Sequence, residues 1–540
     1  MAELNYAKLR ILVADDFSSF RNTVNSMLSG LGVANVVMAA NAEEMLGQCE
    51  RARFDIILSD YNLGAGRTGQ NVLEELRFRK LIDQTTLFIL VSAESSRNIV
   101  MSAYDCAPDD YLMKPLTTKM LQQRMNRLLV QRSVMAPVYQ ALQRNDLTAA
   151  SELLIDLSLA ENRHSTSAQK MLGGIFVSMG EWDKAERLYT RALEVRPLEW
   201  ARLGLAKVRQ VRGELEQAGS WLEKIVDENP LYLPAYDVLA DNWGMRGDSH
   251  NVQFTVQRAV DVSPMSILRQ KQLATVAQQN SDLSTATEAL RKTVKLGQMS
   301  CHGTVNDHLS FARVSALGVE RELNLGPNIH SEALAVLKQA EDRYELTDVE
   351  QAQVHLLAGR IHALNNQPEL AIKAMADAER LQPAAEDIDV ALEGVSLMLA
   401  LKQVDKADER LEELAKIFAD DQAALEKLDQ FLNEPASESN RAVVAEINRE
   451  GIELYNRSQF DAALDCFESA RKLFPKHVGI QLNIVQALVG KLKIDETDEL
   501  ALHEYRAAVE LVASLIDSSH PQFDRYNRLK NRAGALNVEQ

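Results

Sequence analysis

The chain has 540 residues, of which 46% are hydrophobic, 25% charged and only 6% aromatic, globular proportions that lean towards helix. The length predicts roughly three or four ordinary domains, or one domain followed by a repeat array. A formal net charge of −18, with no local basic face, opposes phosphate backbones and anionic lipid surfaces, so nucleic-acid and membrane-surface binding are excluded as expected functions.

Cys49, Cys106, Cys301 and Cys466 are scattered without C-x-x-C spacing, which argues against a disulfide framework or zinc ribbon and fits a reducing compartment. Met1 to Arg10 offers no secretory segment, and no uncharged apolar stretch reaches the roughly 18 residues of a membrane span. A cytoplasmic protein is expected.

Over the first 131 residues short apolar runs alternate with amphipathic segments. Leu9–Ala14, Asn35–Ala39, Ile56–Ser59, Leu87–Ser92 and Tyr111–Met113 read as buried parallel strands. Helical patterns lie near residues 18–29, 42–52, 70–80, 95–106 and 117–131. The alternation predicts a doubly wound α/β domain of the flavodoxin-like kind, whose chemistry gathers at the carboxyl ends of its strands.

Those ends carry Asp15 and Asp16, then Asp60, then Ser92, then Lys114 followed by Pro115. Three carboxylates brought together repel one another unless a cation neutralises them, and magnesium is the natural candidate because it prefers oxygen ligands and keeps waters. Asp60 could then accept a phosphoryl group, with Lys114 and the metal offsetting its charge. Gly64, Gly66 and Gly69 delay the following helix and leave Asp60 free.

The acidic pair Asp15-Asp16, LSDYNLG around Asp60, VSAE containing Ser92 and YLMKP containing Lys114 together resemble the receiver domains of two-component response regulators, over about residues 8–131. The resemblance implies that Asp60 is the phosphoacceptor and that Asp16 and Asp60 ligate Mg2+ directly. Asp15 would act partly through water and Asn62 would lend its backbone carbonyl. It further implies that Ser92 hydrogen-bonds the phosphoryl group, that Lys114 pairs with it, and that Pro115 follows a cis peptide. Tyr111 corresponds to the family's switch aromatic, moving with Ser92. Implied partners are a histidine kinase or phosphotransfer protein, with a homodimer through the receiver also open.

Beyond residue 131 the strand pattern gives way to helical periodicity. Pro197, Pro230 and Pro264 recur at intervals of 33 and 34 residues, each preceded by a turn glycine (Gly180, Gly213, Gly247) and a small or β-branched residue (Ala185, Ala218, Val252). Pro383 and Pro475 repeat the arithmetic with Asn366 and Ser458 at the turn, then Ala371 and Ala463. The segment MLGGIFVSMGEWDKAERLYTRALEVRP resembles a tetratricopeptide repeat, with Gly173, Phe176, Ala185, Tyr189, Ala192 and Pro197 at its packing positions. An all-α solenoid is expected, with residues 265–345 fitting only loosely. The polar stretch NEPASESN divides the expected array, residues 132–432, from a C-terminal helical subdomain, residues 433–540.

Cys301, His302 and His308 lack further ligands at workable spacing and read as surface and packing residues. No nucleotide-binding, hydrolase or helix-turn-helix motif is present, so no metabolic activity is expected beyond the receiver's own phosphoryl chemistry. Two functions follow from these readings. One is a phosphorelay response regulator acting through protein partners of its repeats. The other is a constitutive repeat scaffold whose receiver only docks or dimerises.

Overall fold

Alternate residues of the predicted strands point to opposite faces of one sheet, and both faces are apolar. In the computed structural model, β1 (Arg10–Ala14), β2 (Asn35–Ala39), β3 (Ile56–Asp60), β4 (Leu87–Ser92) and β5 (Asp110–Met113) form a parallel five-stranded sheet ordered β2-β1-β3-β4-β5. The described residues are 5–64, 66–93, 101–102, 105–160, 163–381, 387–432, 434–494, 498–516 and 520–534. Ile11, Val13, Ile56, Leu58, Ile89 and Val91 face helix α1 (Ser18–Gly30) and the helix after β5. Leu12, Ala14, Ile57, Phe88 and Leu90 face α2 (Ala42–Arg51) and α3 (Gly69–Phe78). Burial on both faces explains why these strands read as continuous apolar runs. The predicted helix over 95–106 falls largely outside the described residues.

The helix after β5 begins where expected but does not stop at residue 131. α4 spans Thr118–Gln143. Its first half, with Leu121, Met125, Leu128 and Leu129, packs on the sheet. Its second half, with Met135, Val138 and Ala141, packs with Ala150, Leu154 and Leu172 of the following helices. The expected boundary between residues 131 and 132 therefore lies inside one helix. The chain packs as two units, Met1–Ala340 and Glu341–Gln540.

In the first unit antiparallel helix pairs follow α4: Leu147–Leu159 with Ser165–Ser178, Trp182–Val195 with Glu199–Val211, Leu215–Glu228 with Leu233–Met245, and onward through Ser249–Val262, Ile267–Gln279, Leu283–Gly297, Val305–Glu320 and Ile329–Arg343. The predicted turn glycines adopt the left-handed conformation that ends one helix and aims the next, with φ of 73° at Gly180, 82° at Gly213 and 74° at Gly247. Ser281 takes the same conformation one repeat after Gly247, at φ 59°. The turn thus recurs within 265–345 with serine in place of glycine.

Tyr189 is the clamp of the first predicted repeat. Its ring lies between Gly173 and Gly204, where an added methyl carbon would stand 2.4 Å from Cε1 and 2.3 Å from Cζ respectively. Only hydrogen at both positions lets the helices close on the ring. Ala185 and Ala192 are buried beside it, and Phe176 joins the same cluster. Tyr189→Ala is expected to lower the stability of the first unit by about 3–5 kcal/mol through the cavity left behind, measurable by denaturant unfolding.

The second unit repeats this logic. Asn366 and Ser458 hold left-handed turns at φ 56° and 63°, Ala371 and Ala463 are fully buried, and Phe467 lies against Gly451. Pro383 lies outside the described residues. Within the polar stretch, residues 436–440 form a helix cap. The buried Asp429 carboxylate accepts from the Ala436 and Ser437 amides, the Ser437 hydroxyl and the Asn440 amide, while Ser437 caps the helix Glu438–Asn456. No described helix is long and apolar enough to cross a membrane.

Candidate functional site

Strand order reverses between β1 and β3, and the crevice at their carboxyl ends collects the predicted residues. Asp15 immediately follows β1, and its amide donates to the Ala39 carbonyl (3.2 Å). Its own carbonyl accepts from Arg21 (2.6 Å), and its Oδ1 accepts from the Phe17 amide (2.8 Å). The carboxylate is thereby fixed and fully buried. Asp60 is the last residue of β3, with Oδ1 accepting from the Tyr61 amide (2.8 Å). Oxygens of Asp15, Asp16 and Asp60 all lie within 4.8 Å of one another.

Lys114 neutralises part of this charge. Its Nζ donates to Asp15 Oδ2 (2.8 Å) and Asp60 Oδ2 (2.9 Å) and lies 4.2 Å from the centre of the Phe20 ring. Burial would lower the lysine's pKa, but the two carboxylates outweigh it and hold the ammonium above its ordinary range. For Asp60, burial dominates and raises the carboxyl, Lys114 and the Tyr61 amide pull it back, and the Asp15 charge pushes it up again. The net direction is upward, because burial, with the Asp15 charge adding to it, outweighs the ammonium and the amide. Their oxygen donors, so close together, suit a small hard cation.

Ser92 ends β4 and is buried, and its carbonyl accepts from the Lys114 amide (2.8 Å), so hydroxyl and ammonium share one backbone junction. The Lys114–Pro115 peptide is cis. Asn62 bridges to Thr68 two residues beyond Asp60. Tyr111 is half-buried against the core that includes Tyr61, Phe88 and Leu90, with Cys106 packed on the same side.

The support for Asp60 comes from residues that sequence reasoning undervalued. Thr68 and Asn71 form a capping box at the start of α3, and Gly69 donates its amide to the Tyr61 carbonyl (2.8 Å). A methyl on Gly69 would stand 2.1 Å from the Asp60 carbonyl oxygen. The T-x-x-N signal was there to be read. Phe20 and Arg21 carried no comparable signal, since only the fold brings them to Asp15 and Lys114. Cys301, His302 and His308 do not form a metal-binding group with one another among the described residues.

Comparison with known proteins defines the class. Residues 11–126 match the family model described as the response regulator receiver domain, and residues 170–232 match that of the tetratricopeptide repeat. The N-terminal part of this chain is a receiver domain, and the helices after it include tetratricopeptide repeats. Chemotaxis protein CheY of Pseudomonas aeruginosa is 27% identical over 120 residues, 22% of this chain and 95% of that protein. Chemotaxis protein CheY-3 of Vibrio cholerae is 26% identical over 120 residues, covering 22% and 91%. Among solved structures, CheY4 of Vibrio cholerae covers 22% of this chain and 97% of its own at 27% identity and TM-score 0.21. A tetratricopeptide repeat protein from Parabacteroides merdae covers 50% and 98% at 16% identity and TM-score 0.27.

Proposed function

We propose that this protein is a response regulator of a cytoplasmic phosphorelay, in which Asp60 receives a phosphoryl group from a histidine kinase or phosphotransfer protein and the repeats act on a protein target. The observation that carries this reading is the carboxylate of Asp60 held 2.9 Å from Lys114 beside Asp15 and Asp16. In the transfer, an Asp60 oxygen forms a bond to phosphorus as the bond to the donor's leaving group breaks. Lys114, already charged, passes from the carboxylate to the phosphoryl oxygens, and the Ser92 hydroxyl donates to another of them. Tyr111 follows Ser92 as the switch. Magnesium held by Asp15, Asp16, Asp60 and the Asn62 carbonyl would supply the remaining positive charge. The chain's own chemistry ends with hydrolysis of the acyl phosphate, so it is a signalling protein without a metabolic activity.

Incubation with magnesium and acetyl phosphate should add one phosphoryl group to the intact mass, with acetate released, and chelation should prevent it. An unlabelled protein would leave the constitutive scaffold as the better reading. Magnesium should also raise the unfolding temperature, by about 2.7 kcal/mol of stabilisation at a hundredfold excess over its dissociation constant. A scan with and without chelator measures this.

A further inference from the structure

The C-terminal helices form an open cavity of about 410 Å³ whose walls differ in kind. One wall is apolar and consists of Ile452, Tyr455 and Phe467. The other is polar and centres on Arg525, in the helix Phe523–Gly534. One terminal nitrogen of its guanidinium donates to Asn483 Oδ1 at 2.6 Å and Gln486 Oε1 at 3.0 Å, whereas the second reaches Gln522 Oε1 only at 3.4 Å. Asn483 in turn donates to Asn448 Oδ1 at 2.8 Å, which braces the polar wall between the helices Val478–Leu492 and Glu438–Asn456.

The partners of this guanidinium are neutral amides, and among the described residues no carboxylate pairs with it. Burial weakens its hold on its proton, and the Arg528 charge adds to the effect. Arg291 shows the usual arrangement, with its guanidinium forked onto Glu332 at 2.6 Å and 2.9 Å. Taking a guanidinium partly out of water without a counter-ion costs free energy that neutral acceptors return only in part. Carboxylates are not scarce in this chain, which has 77 acidic residues against 59 Lys and Arg. We infer that the missing counter-charge is a ligand's: the cavity binds a small organic acid, its carboxylate on Arg525 in place of the long Gln522 contact and its apolar body against Ile452, Tyr455 and Phe467. One guanidinium matches one negative charge, which favours a carboxylate over a phosphate dianion. The volume falls within the roughly 300–1,000 Å³ of small-molecule sites and suits an acid with one ring or a short aliphatic chain better than an extended peptide. Such a ligand would be a chemical input to the chain that does not depend on the assignment of Asp60.

The test titrates the full chain calorimetrically with hydrocinnamate, octanoate and hydrocinnamamide. At least one acid should bind one to one with a dissociation constant below about 1 mM. The amide keeps the ring but not the charge and should bind at least about tenfold more weakly than hydrocinnamate. Arg525→Gln should weaken the acid by the same factor. Asn483→Asp supplies the counter-charge from within, so it should melt at the same or a higher temperature than the wild type and no longer bind the acid; it keeps the test open if Arg525→Gln folds poorly. Equal binding of acid and amide, undiminished binding to either variant, or failure of both acids to bind at about 10 mM overturns the site. An acetylated tetrapeptide ending in phenylalanine that binds at least about tenfold more tightly than hydrocinnamate overturns the small-acid assignment in favour of a peptide end.

Discussion

Asp60→Asn is expected to abolish phosphoryl labelling, a loss beyond the roughly hundredfold that an assay of intact mass resolves, while leaving the fold in place. Asparagine keeps the shape, and its single carbonyl oxygen can still accept from the Tyr61 amide, which holds Oδ1 of the native carboxylate at 2.8 Å, while Lys114, 2.9 Å from the other native oxygen, keeps Asp15 as its partner. What it loses is the anionic oxygen that attacks phosphorus. Stability should move the other way. A carboxyl whose pKa is raised on folding stabilises the protein at pH below its unfolded value, and that contribution is lost as pH rises through the folded value. At neutral pH and without metal the variant should therefore unfold at the same or a higher temperature than the wild type. The difference should shrink on acidification and reverse when magnesium is added. Thermal scans at two pH values, with and without chelator, read all three. A variant less stable in metal-free neutral buffer would contradict this account of the pocket.

Gly69→Ala should impair the same site without touching a reacting atom. The added carbon would stand 2.1 Å from the Asp60 carbonyl oxygen and 2.6 Å from Ser59 Oγ. The obstacle is backbone, not the flexible end of a side chain. β3 is paired on both sides, to β1 and β4, so it has nowhere to retreat. Overpacking of this kind costs about 3 kcal/mol. Displacing Asp60 by about 1 Å should slow labelling about a hundredfold, since in-line transfer depends on position. Gly47→Ala is the control: it lies within α2 with no atom near the new methyl, and should be neutral or slightly stabilising. Chevron kinetics or denaturant melts give the stability term, and initial labelling rates give the positional one.

The strands were legible because each is buried on both faces, leaving runs such as LFILVS that match β4 residue for residue. The acidic trio was legible for a related reason: strand ends in a doubly wound sheet converge, so the residue closing each strand predicts the pocket. The repeats announced themselves where glycine or proline is needed, at Gly180, Gly213 and Gly247. They faded where Ser281 takes the same turn with a residue that is not diagnostic of it. The contact between receiver and repeats through Asp105 and Arg269 left no trace in the sequence. Asp105 and Arg269 are ordinary surface types, 164 residues apart, and only the tertiary packing of the receiver on the repeats brings them together. Their pairing depends on accumulated tertiary geometry, which no local pattern encodes.

Helix α4 has a consequence for how the protein can be divided. Arg132, midway along it, donates to the carbonyls of Asp55 and Thr85 at 2.9 Å each, anchoring the helix beneath the sheet just before Met135 enters the repeats. A receiver fragment ended at residue 131 would discard this anchor, and the remaining repeat fragment would carry the second half of α4, with Met135, Val138 and Ala141, cut off from the half that packs on the sheet. The practical cutting point is beyond Gln143, and even there the repeat fragment would begin with an uncovered apolar flank. In modular terms the receiver supplies the N-terminal cap that a solenoid otherwise needs as a dedicated repeat. Pro137 sits inside this shared helix and cannot donate to the Ser133 carbonyl, so the joint between the two modules is a single continuous rod weakened at one position.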